Sequence, residues 1–355
     1  MRHLTNVFQG LLQAKQEAIV EPDNLVKLWV HEAERIYGDR LVNAEHLSIY
    51  KASCNELVVK SFSRFNLKKY FGASPEPLIF AQFVAGLDDK LYDQFPTAQA
   101  LNSRLLEALR EYNDTNAVMD LVLFEDAMKH VCKISRIIAA EQGHALLVGV
   151  GGSGKQSLSR LSSFICQYTT AGIMISSSYG MNDLKTDLQG FFMKCGCKDE
   201  GILFLFTEGQ ITNERFLVYI NDLLSSGEIA DLFQAEDVDG IVNNVRPAVK
   251  SEGMLDSKDN CWKFFIDRIK KNLHMSLCFS PVGDAFRNRA KKFPAIINCS
   301  VIDWFHAWPE DALLSVASKF LADVEMASDE IRQGIETFMP YSFKVVEKFS
   351  NLIME

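Results

Sequence analysis

The sequence predicts an α/β fold: a parallel sheet flanked by helices, preceded by an all-α region and followed by the start of another helical region. Three observations carry that prediction. From about residue 144 short apolar runs alternate with helix-period stretches, as in a sheet built through crossovers. From residue 1 to about 140 apolar residues recur mainly at helical spacing. The first apolar run of the alternating part, Ala145–Val148, enters a glycine-rich turn and then a helix.

The N-terminal region opens with Leu4, Val7, Phe8, Leu11 and Leu12, spaced i, i+3, i+4, i+7, i+8 for one buried face. After the break at Pro22-Asp23, a second amphipathic stretch carries Leu25, Leu28, Trp29 and Ile36. His31 lies in that stretch without a partner cluster and reads as a polar-face or packing residue. Gly72-Ala-Ser-Pro-Glu-Pro77 is the clearest breaker and the expected connector between modules. A helix is expected at Leu101–Tyr112 and a polar turn at Asn113–Asn116. Met119–Phe124 then leads into a helix through His130 and Ile137.

In the alternating region the candidate strands are Ala145–Val148, Ile173–Ser176, Ile202–Phe206, Met275–Phe279 and Ile296–Ile302. One intervening helix carries Phe216, Ile220, Leu223 and Leu224 and closes at Gly227. Another carries Trp262, Phe265, Ile266 and Ile269. Asp231–Asp256, acidic at first and interrupted by Pro247 and Gly253, reads as an insertion with less defined structure. From Pro309 the helical period returns with Leu313, Leu314, Ala317, Phe320 and Leu321.

The turn after the first strand reads Gly149-Val150-Gly151-Gly152-Ser153-Gly154-Lys155-Gln156-Ser157. Gly149, Gly154 and Lys155 satisfy the phosphate-loop pattern G-x-x-x-x-G-K-[ST], in the strand–loop–helix context that gives it physical meaning. Glycines let successive N–H groups turn inward, and the helix start adds partial positive charge. Lys155 would reach the β- and γ-phosphates of a nucleotide. The last position holds Gln156, with Ser157 one step later, so the loop supplies the phosphate cradle without the usual Mg²⁺-ligating hydroxyl. The expected cofactor is ATP or ADP, and the sequence leaves Mg²⁺ open.

The chain has 355 residues and a net charge of −9, which argues against a nucleic-acid surface as its main role. No apolar run approaches the roughly 20 residues of a membrane helix. The N-terminus lacks a signal-peptide core, so the expected compartment is cytosolic. Eight scattered cysteines, of which only Cys195 and Cys197 are close, read as free thiols and not as a metal site. Asn298-Cys-Ser300 matches a glycosylation acceptor by chance.

Five strands with the loop after the first suggest an additional-strand P-loop NTPase, whose third strand usually ends in Asp-Glu. Here it ends Phe206-Thr207-Glu208: Thr207 replaces the Asp, and Glu208 keeps the place of the catalytic carboxylate. The fourth strand should end in a polar sensor such as Asn and ends in Ser280. Gln156, Thr207 and Ser280 each remove or shorten a group that handles metal or water, which favours binding over fast turnover. Arg287, Lys291 and Lys292 read as solvated. Arg289 has the place of the arginine that, in ring-forming ATPases, projects into a neighbouring module's pocket. Such fingers are worth roughly 10³–10⁵ in rate.

Gly149–Arg160, Phe286–Ala295 and Asn298–Trp308 together resemble a dynein heavy chain, most closely the fourth AAA+ module of its motor ring. Phe206-Thr-Glu-Gly-Gln-Ile211 resembles the axonemal type. Leu4–Gly10, Leu28–Glu32 and Asp39–Leu41 look like the small helical subdomain closing the third module, and residues 119–130 like the elements that pack on adenine. The resemblance implies a helical subdomain with connector over 1–115, an AAA+ large α/β subdomain over 116–308 and the start of a small helical subdomain over 309–355. Both ends fall inside family elements, which implies a stretch of a longer chain lacking the main ATPase site, the linker and the stalk. Its implied partners are neighbouring AAA+ modules of the same heavy chain, other dynein chains, and microtubules through regions outside this sequence. The implied location is the axoneme of a cilium or flagellum, within the cytoplasm and cytoskeleton.

The favoured reading is a regulatory ATP-binding module that hydrolyses ATP weakly on its own. In it Lys155 and the loop amides hold phosphates, Glu208 orients water, Ser280 is the sensor and Arg289 reaches the third module's pocket. The alternatives are a structural ring spacer without exchangeable nucleotide and a stand-alone cytosolic P-loop ATPase.

Overall fold

In the computed structural model, which describes residues 1–62, 65 and 78–354, the alternating region forms a five-stranded parallel sheet. The strands, after a two-residue pair β1 (Phe80–Ala81) and β2 (Asp93–Gln94), are β3 (Ala145–Val148), β4 (Thr169–Ala171), β5 (Ile202–Thr207), β6 (Leu273–Phe279) and β7 (Val301–Trp304). Their spatial order is β4-β5-β6-β3-β7. The strand that carries the glycine-rich loop is therefore separated from β5 by β6, the additional-strand arrangement expected from the sequence. Central β6 is buried along its whole length, as a strand covered on both faces must be.

Helices cover both faces. On one side α7 (Met181–Lys198), α8 (Phe216–Ser226), α9 (Ala235–Ser251) and α10 (Lys258–Asn272) bury Phe192, Ile220, Val245, Phe265 and their neighbours against Phe204, Phe206 and Met275. On the other, α4 (Ala98–Thr115), α5 (Glu125–Ala139) and α6 (Lys155–Ile165) bury Leu105, Ile134 and Leu161 against Leu147, Leu203 and Leu205. Before the sheet stand α1 (Arg2–Leu11), α2 (Pro22–Ile36) and α3 (Ala44–Ser61). The chain continues through α11 (Ala285–Lys292) and α12 (Ala295–Asn298) to α13 (Glu310–Leu321) and α14 (Asp329–Met354).

Local chemistry sets several boundaries. Thr97 accepts the Ala100 N–H and starts α4, while Ser257 accepts the Asn260 N–H and starts α10. Gly227, at φ 74°, ends α8 in the left-handed conformation that glycine adopts without a Cβ penalty.

Four expectations shift. The second strand is Thr169–Ala171 and not Ile173–Ser176. Its ladder to Ile202–Phe204 is an edge ladder, so polar Thr169 and Thr170 suffice, and buried Ile173 follows the strand. The fifth strand is Val301–Trp304. Pro294 instead opens the short helix α12 through Ile296 and Ile297, whose β-branching suggested strand. The turn expected at Asn113–Asn116 begins later, because α4 runs to Thr115 and Asn116 caps it, its Nδ2 donating to Tyr112 O at 3.1 Å. The stretch Asp231–Asp256 contains a 17-residue helix, α9, that accommodates Pro247 and buries Val242, Val245 and Val249. The connector expected at Gly72–Pro77 lies outside the described residues.

The N-terminal helices are joined to the sheet region by buried charge. Glu32 on α2 is fully buried; Arg136 of α5 reaches it from Nε at 3.0 Å and from Nη2, and the Tyr92 hydroxyl donates to it as well. A Cβ on Gly10 would stand 1.7 Å from a Glu32 oxygen, so only glycine lets α1 lie there. Four further charged groups extend the seam: Arg35 pairs with Asp39 at 2.8 Å, and Lys133 of α5 bridges Asp39 at 3.2 Å and buried Asp303 at 3.3 Å.

Truncating one partner of a buried pair strands the other charge. Glu32→Ala should cost about 3–5 kcal/mol, read as a lower denaturant midpoint with little change in slope. Combining Glu32→Leu with Arg136→Met should recover much of that loss, since no charge is then left without a partner.

Candidate functional site

Register alone brings the sequence-predicted site residues together. Val148 pairs with Phe279, and Thr207 pairs with Cys278, so the ends of β3, β6 and β5 lie side by side. Gly149, Ser280 and Glu208 follow directly on those strands, at the carboxyl edge of the sheet where open α/β folds place ligands.

The loop has the required backbone. Gly152 and Gly154 lie at φ 78° and 86°, in the left-handed region. A side chain built at Gly151 or Gly152 would meet nothing within 4 Å, so this flank of the loop is open to a phosphate-sized group. Gly149 is held for the opposite reason: a Cβ there would lie 2.6 Å from Phe305 Cβ. Helix α6 starts at Lys155 and points its N-terminus at the loop.

Lys155 reaches back over the turn. Its ammonium donates to Gly149 O at 2.7 Å, Val150 O at 2.6 Å and Ser153 Oγ at 3.0 Å, while Ser153 donates to Val150 O. Burial lowers the Lys155 ammonium below its ordinary value, against opposing pulls from Cys278 and Glu208. A triphosphate would offer anionic oxygens in place of neutral acceptors. Gln156 is exposed and Ser157 half-buried; neither side chain takes part in the loop's hydrogen bonds. Among the described residues no group of three or more His, Cys, Asp or Glu is arranged to hold a metal.

At the far side of the site, both oxygens of Glu208 are engaged. Oε2 accepts the Ser280 N–H at 3.1 Å, and Oε1 accepts Arg289 Nη1 at 2.7 Å. Arg289, on α11, also pairs with Glu214 at 3.0 Å. The guanidinium expected to reach a neighbouring module is thus turned onto carboxylates of its own chain. The Ser280 hydroxyl accepts the Val282 N–H at 3.3 Å. Thr207 starts a short turn in which its N–H donates to Gln210 Oε1 at 2.8 Å, while Gln210 Nε2 donates to Ile173 O at 2.7 Å.

Sequence reasoning did not find the cavity beside the loop, of about 510 Å³. Its walls include Phe124, Met128 and His130 from the segment expected to pack on a base, with Ser153, Phe305 and Trp308. Phe305 stacks on His130 at 3.9 Å between centroids and 7° between planes, and Phe124 meets Trp308 edge-on at 5.4 Å. His130 Nδ1 lies 2.6 Å from Asp303 Oδ2. The aromatic run Trp304-Phe-His-Ala-Trp308, which begins at the last residue of β7, was the available signal.

Burial raises the Asp303 carboxyl, but Lys133 and His130 outweigh it and hold the group below its ordinary value. A depressed carboxylate contributes stability above its unfolded value, near pH 4, and that contribution is lost as pH falls through the folded value. Asp303→Asn should therefore flatten the stability profile below about pH 4, measured by urea unfolding across pH.

The comparisons with known proteins agree with this geometry. Residues 119–355 match the family described as the P-loop containing dynein motor region D4, and residues 1–70 match an AAA+ lid domain. The dynein alpha chain of the flagellar outer arm from Chlamydomonas reinhardtii is 54% identical over 351 residues, 99% of this chain and 8% of that one. A ciliary dynein beta chain from Tripneustes gratilla is 46% identical, and axonemal dynein heavy chain 17 from Homo sapiens 45%, each over 354 residues, 100% of this chain and 8% of theirs. The chain thus spans about 8% of the length of the curated relatives it matches. A solved Hsp104 chain aligns over 95% of this chain and 54% of its own, at 13% identity and a TM-score of 0.35. With an AAA+ P-loop fold that implies nucleotide binding, and a family match over two thirds of its length, the chain belongs to the dynein heavy-chain family through its D4 motor region.

Proposed function

We propose that this chain is a regulatory ATP-binding AAA+ module of an axonemal dynein heavy chain, one that holds nucleotide and turns it over slowly. The observation that carries the reading is Lys155 folded over an open glycine loop at the carboxyl edge of an additional-strand sheet. In this reading residues 1–115 are the helical subdomain and connector of the preceding module, 116–308 the large α/β subdomain, and 309–355 the start of the small helical subdomain. The loop amides of Gly149–Ser157 and the Lys155 ammonium would hold the β- and γ-phosphates, with the base in the cavity near Phe124 and His130. Mg²⁺, where it accompanies ATP, would neutralise phosphate charge, with Ser157 the nearest hydroxyl in sequence to the usual ligand position.

Slow turnover is supported by what stands at the strand ends. Thr207 and Ser280 occupy the places of an Asp and an Asn, and Glu208 is engaged by other protein groups. The partners in this reading are the adjoining AAA+ modules of the same heavy chain and other dynein chains, and microtubules are met through parts of the heavy chain outside these residues. The setting is the axoneme of a cilium or flagellum. No helix among the described residues is long and apolar enough to cross a membrane, and the acidic net charge gives no reason to invoke nucleic acid.

Equilibrium binding of ATP and ADP, with and without Mg²⁺, tests the reading. Lys155→Ala should weaken binding about 10–100-fold, the equivalent of one charged hydrogen-bonding group. Phosphate release should stay well below roughly 1 s⁻¹, the lower edge of ordinary enzyme turnover. Failure of the folded wild type to bind either nucleotide would instead support a structural spacer.

A further inference from the structure

Arg289 is the residue whose placement the nucleotide-site reading leaves unexplained. Its guanidinium is largely buried and makes two ion pairs within this chain, to Glu208 at 2.7 Å and to Glu214 at 3.0 Å. Glu208 cannot move freely, because its second oxygen accepts the Ser280 N–H at the end of β6. The three contacts come from three elements: α11, the turn after β5 and the end of the central strand. Lys155, the other cation of the site, bonds to loop acceptors and not to Glu208. The carboxylate best placed to act on water beside the loop is thus clamped on both oxygens.

We propose that Arg289 is a positioning residue of its own module's site, an in-chain brake that holds Glu208 away from attacking water. The proposal rests on the nucleotide reading above and specifies how its turnover is kept slow. In hydrolysis the water oxygen bonds to the γ-phosphorus as the bond from that phosphorus to the β–γ bridging oxygen breaks. The electron pair of the broken bond leaves on ADP, and a water proton passes to the base. Each oxygen keeps a second acceptor site, but a carboxylate fixed between a guanidinium and a backbone N–H is held toward those donors and must turn from one of them to face attacking water. The Ser280 N–H is fixed in the backbone, so the guanidinium is the contact that can be released. Glu214 has a defined part: it gives Arg289 a second anchor and so fixes the direction of the fork.

The geometry also sets an exclusivity. A guanidinium in the last turn of an eight-residue helix that spends Nη1 on Glu208 and Nε and Nη2 on Glu214 cannot reach an anionic group outside the chain without leaving them. An anion that draws Arg289 outward would free Glu208 by the same movement.

The test uses the chain itself with two readouts, binding of a fluorescent ATP analogue and single-turnover phosphate release from ATP. Arg289→Ala should leave binding within about twofold and raise phosphate release about 3–10-fold, a gain of the order expected from restoring part of a general base. Arg289→Lys should give a smaller rise, and so should Glu214→Gln, which loosens the anchor without touching Glu208. Adding Glu208→Gln to Arg289→Ala should erase the gain. Unchanged or slower release from Arg289→Ala, with binding intact, overturns the brake, as does a gain that survives Glu208→Gln. If the folded wild type binds no nucleotide, the nucleotide reading falls and the brake falls with it.

Discussion

One buried carboxylate decides where the N-terminal helices can sit. Removing Glu32 from water costs several kcal/mol, and only donors fixed on other elements can offset it. Arg136 comes from α5 and Tyr92 from the segment before α4, each far away in sequence. Charge-assisted hydrogen bonds contribute about 1.5–3 kcal/mol each, so the assembled cluster roughly breaks even. A misplaced α2 would carry the full penalty. The pair therefore contributes more to geometry than to net stability, and Gly10 completes it by letting α1 close over the carboxylate.

From that anchor the seam runs toward the nucleotide loop. Arg35 and Asp39 follow Glu32 at helical spacing, and Lys133 hands the interaction from Asp39 to Asp303. Asp303 lies on β7, hydrogen-bonded in parallel to the strand that feeds the loop. His130 joins the same carboxylate and stacks on Phe305, which in turn closes over Gly149. A continuous path of contacts thus links the N-terminal helices with the first residue of the loop. Displacing those helices would disturb Phe305 before it disturbed Lys155, because Lys155 is held by the loop's own carbonyls.

What could be read from the sequence was what local chemistry determines. The glycine spacing, Lys155 and the preceding apolar strand are contiguous, so the loop and its helix followed directly. Glu208 and Ser280 could be placed because the strand pattern fixes which residues end adjacent strands. The second and fifth strands shifted because an edge ladder needs no apolar alternation and because Pro294 recruits Ile296 and Ile297 into a helix. The clamp on Glu208 was not legible: Arg289 stands 81 positions away, and its direction depends on how α11 leaves β6. Glu32 and Arg136, separated by 104 positions, were hidden for the same reason. A buried charge in an amphipathic helix looks like any polar residue until its partner is in place.

The departures at the strand ends follow a common physical logic. An Asp at the end of β5 would bring a second carboxylate beside Glu208, a like-charge pair that usually needs a cation to offset it. Thr207 avoids that repulsion, and the turn it opens is held by neutral bonds through Gln210, which also ties the segment just after edge strand β4 to the end of β5. The Ser280 hydroxyl is taken up by the next turn, while its backbone N–H donates to Glu208. With Thr207 in that place, the carboxylates that Arg289 pairs with are Glu208 and Glu214. Hydrogen bonds and two ion pairs tie the strand ends to α11 within the chain itself. Such contacts fix the direction of Glu208 through groups of the chain itself, which is what the slow turnover proposed for this site requires.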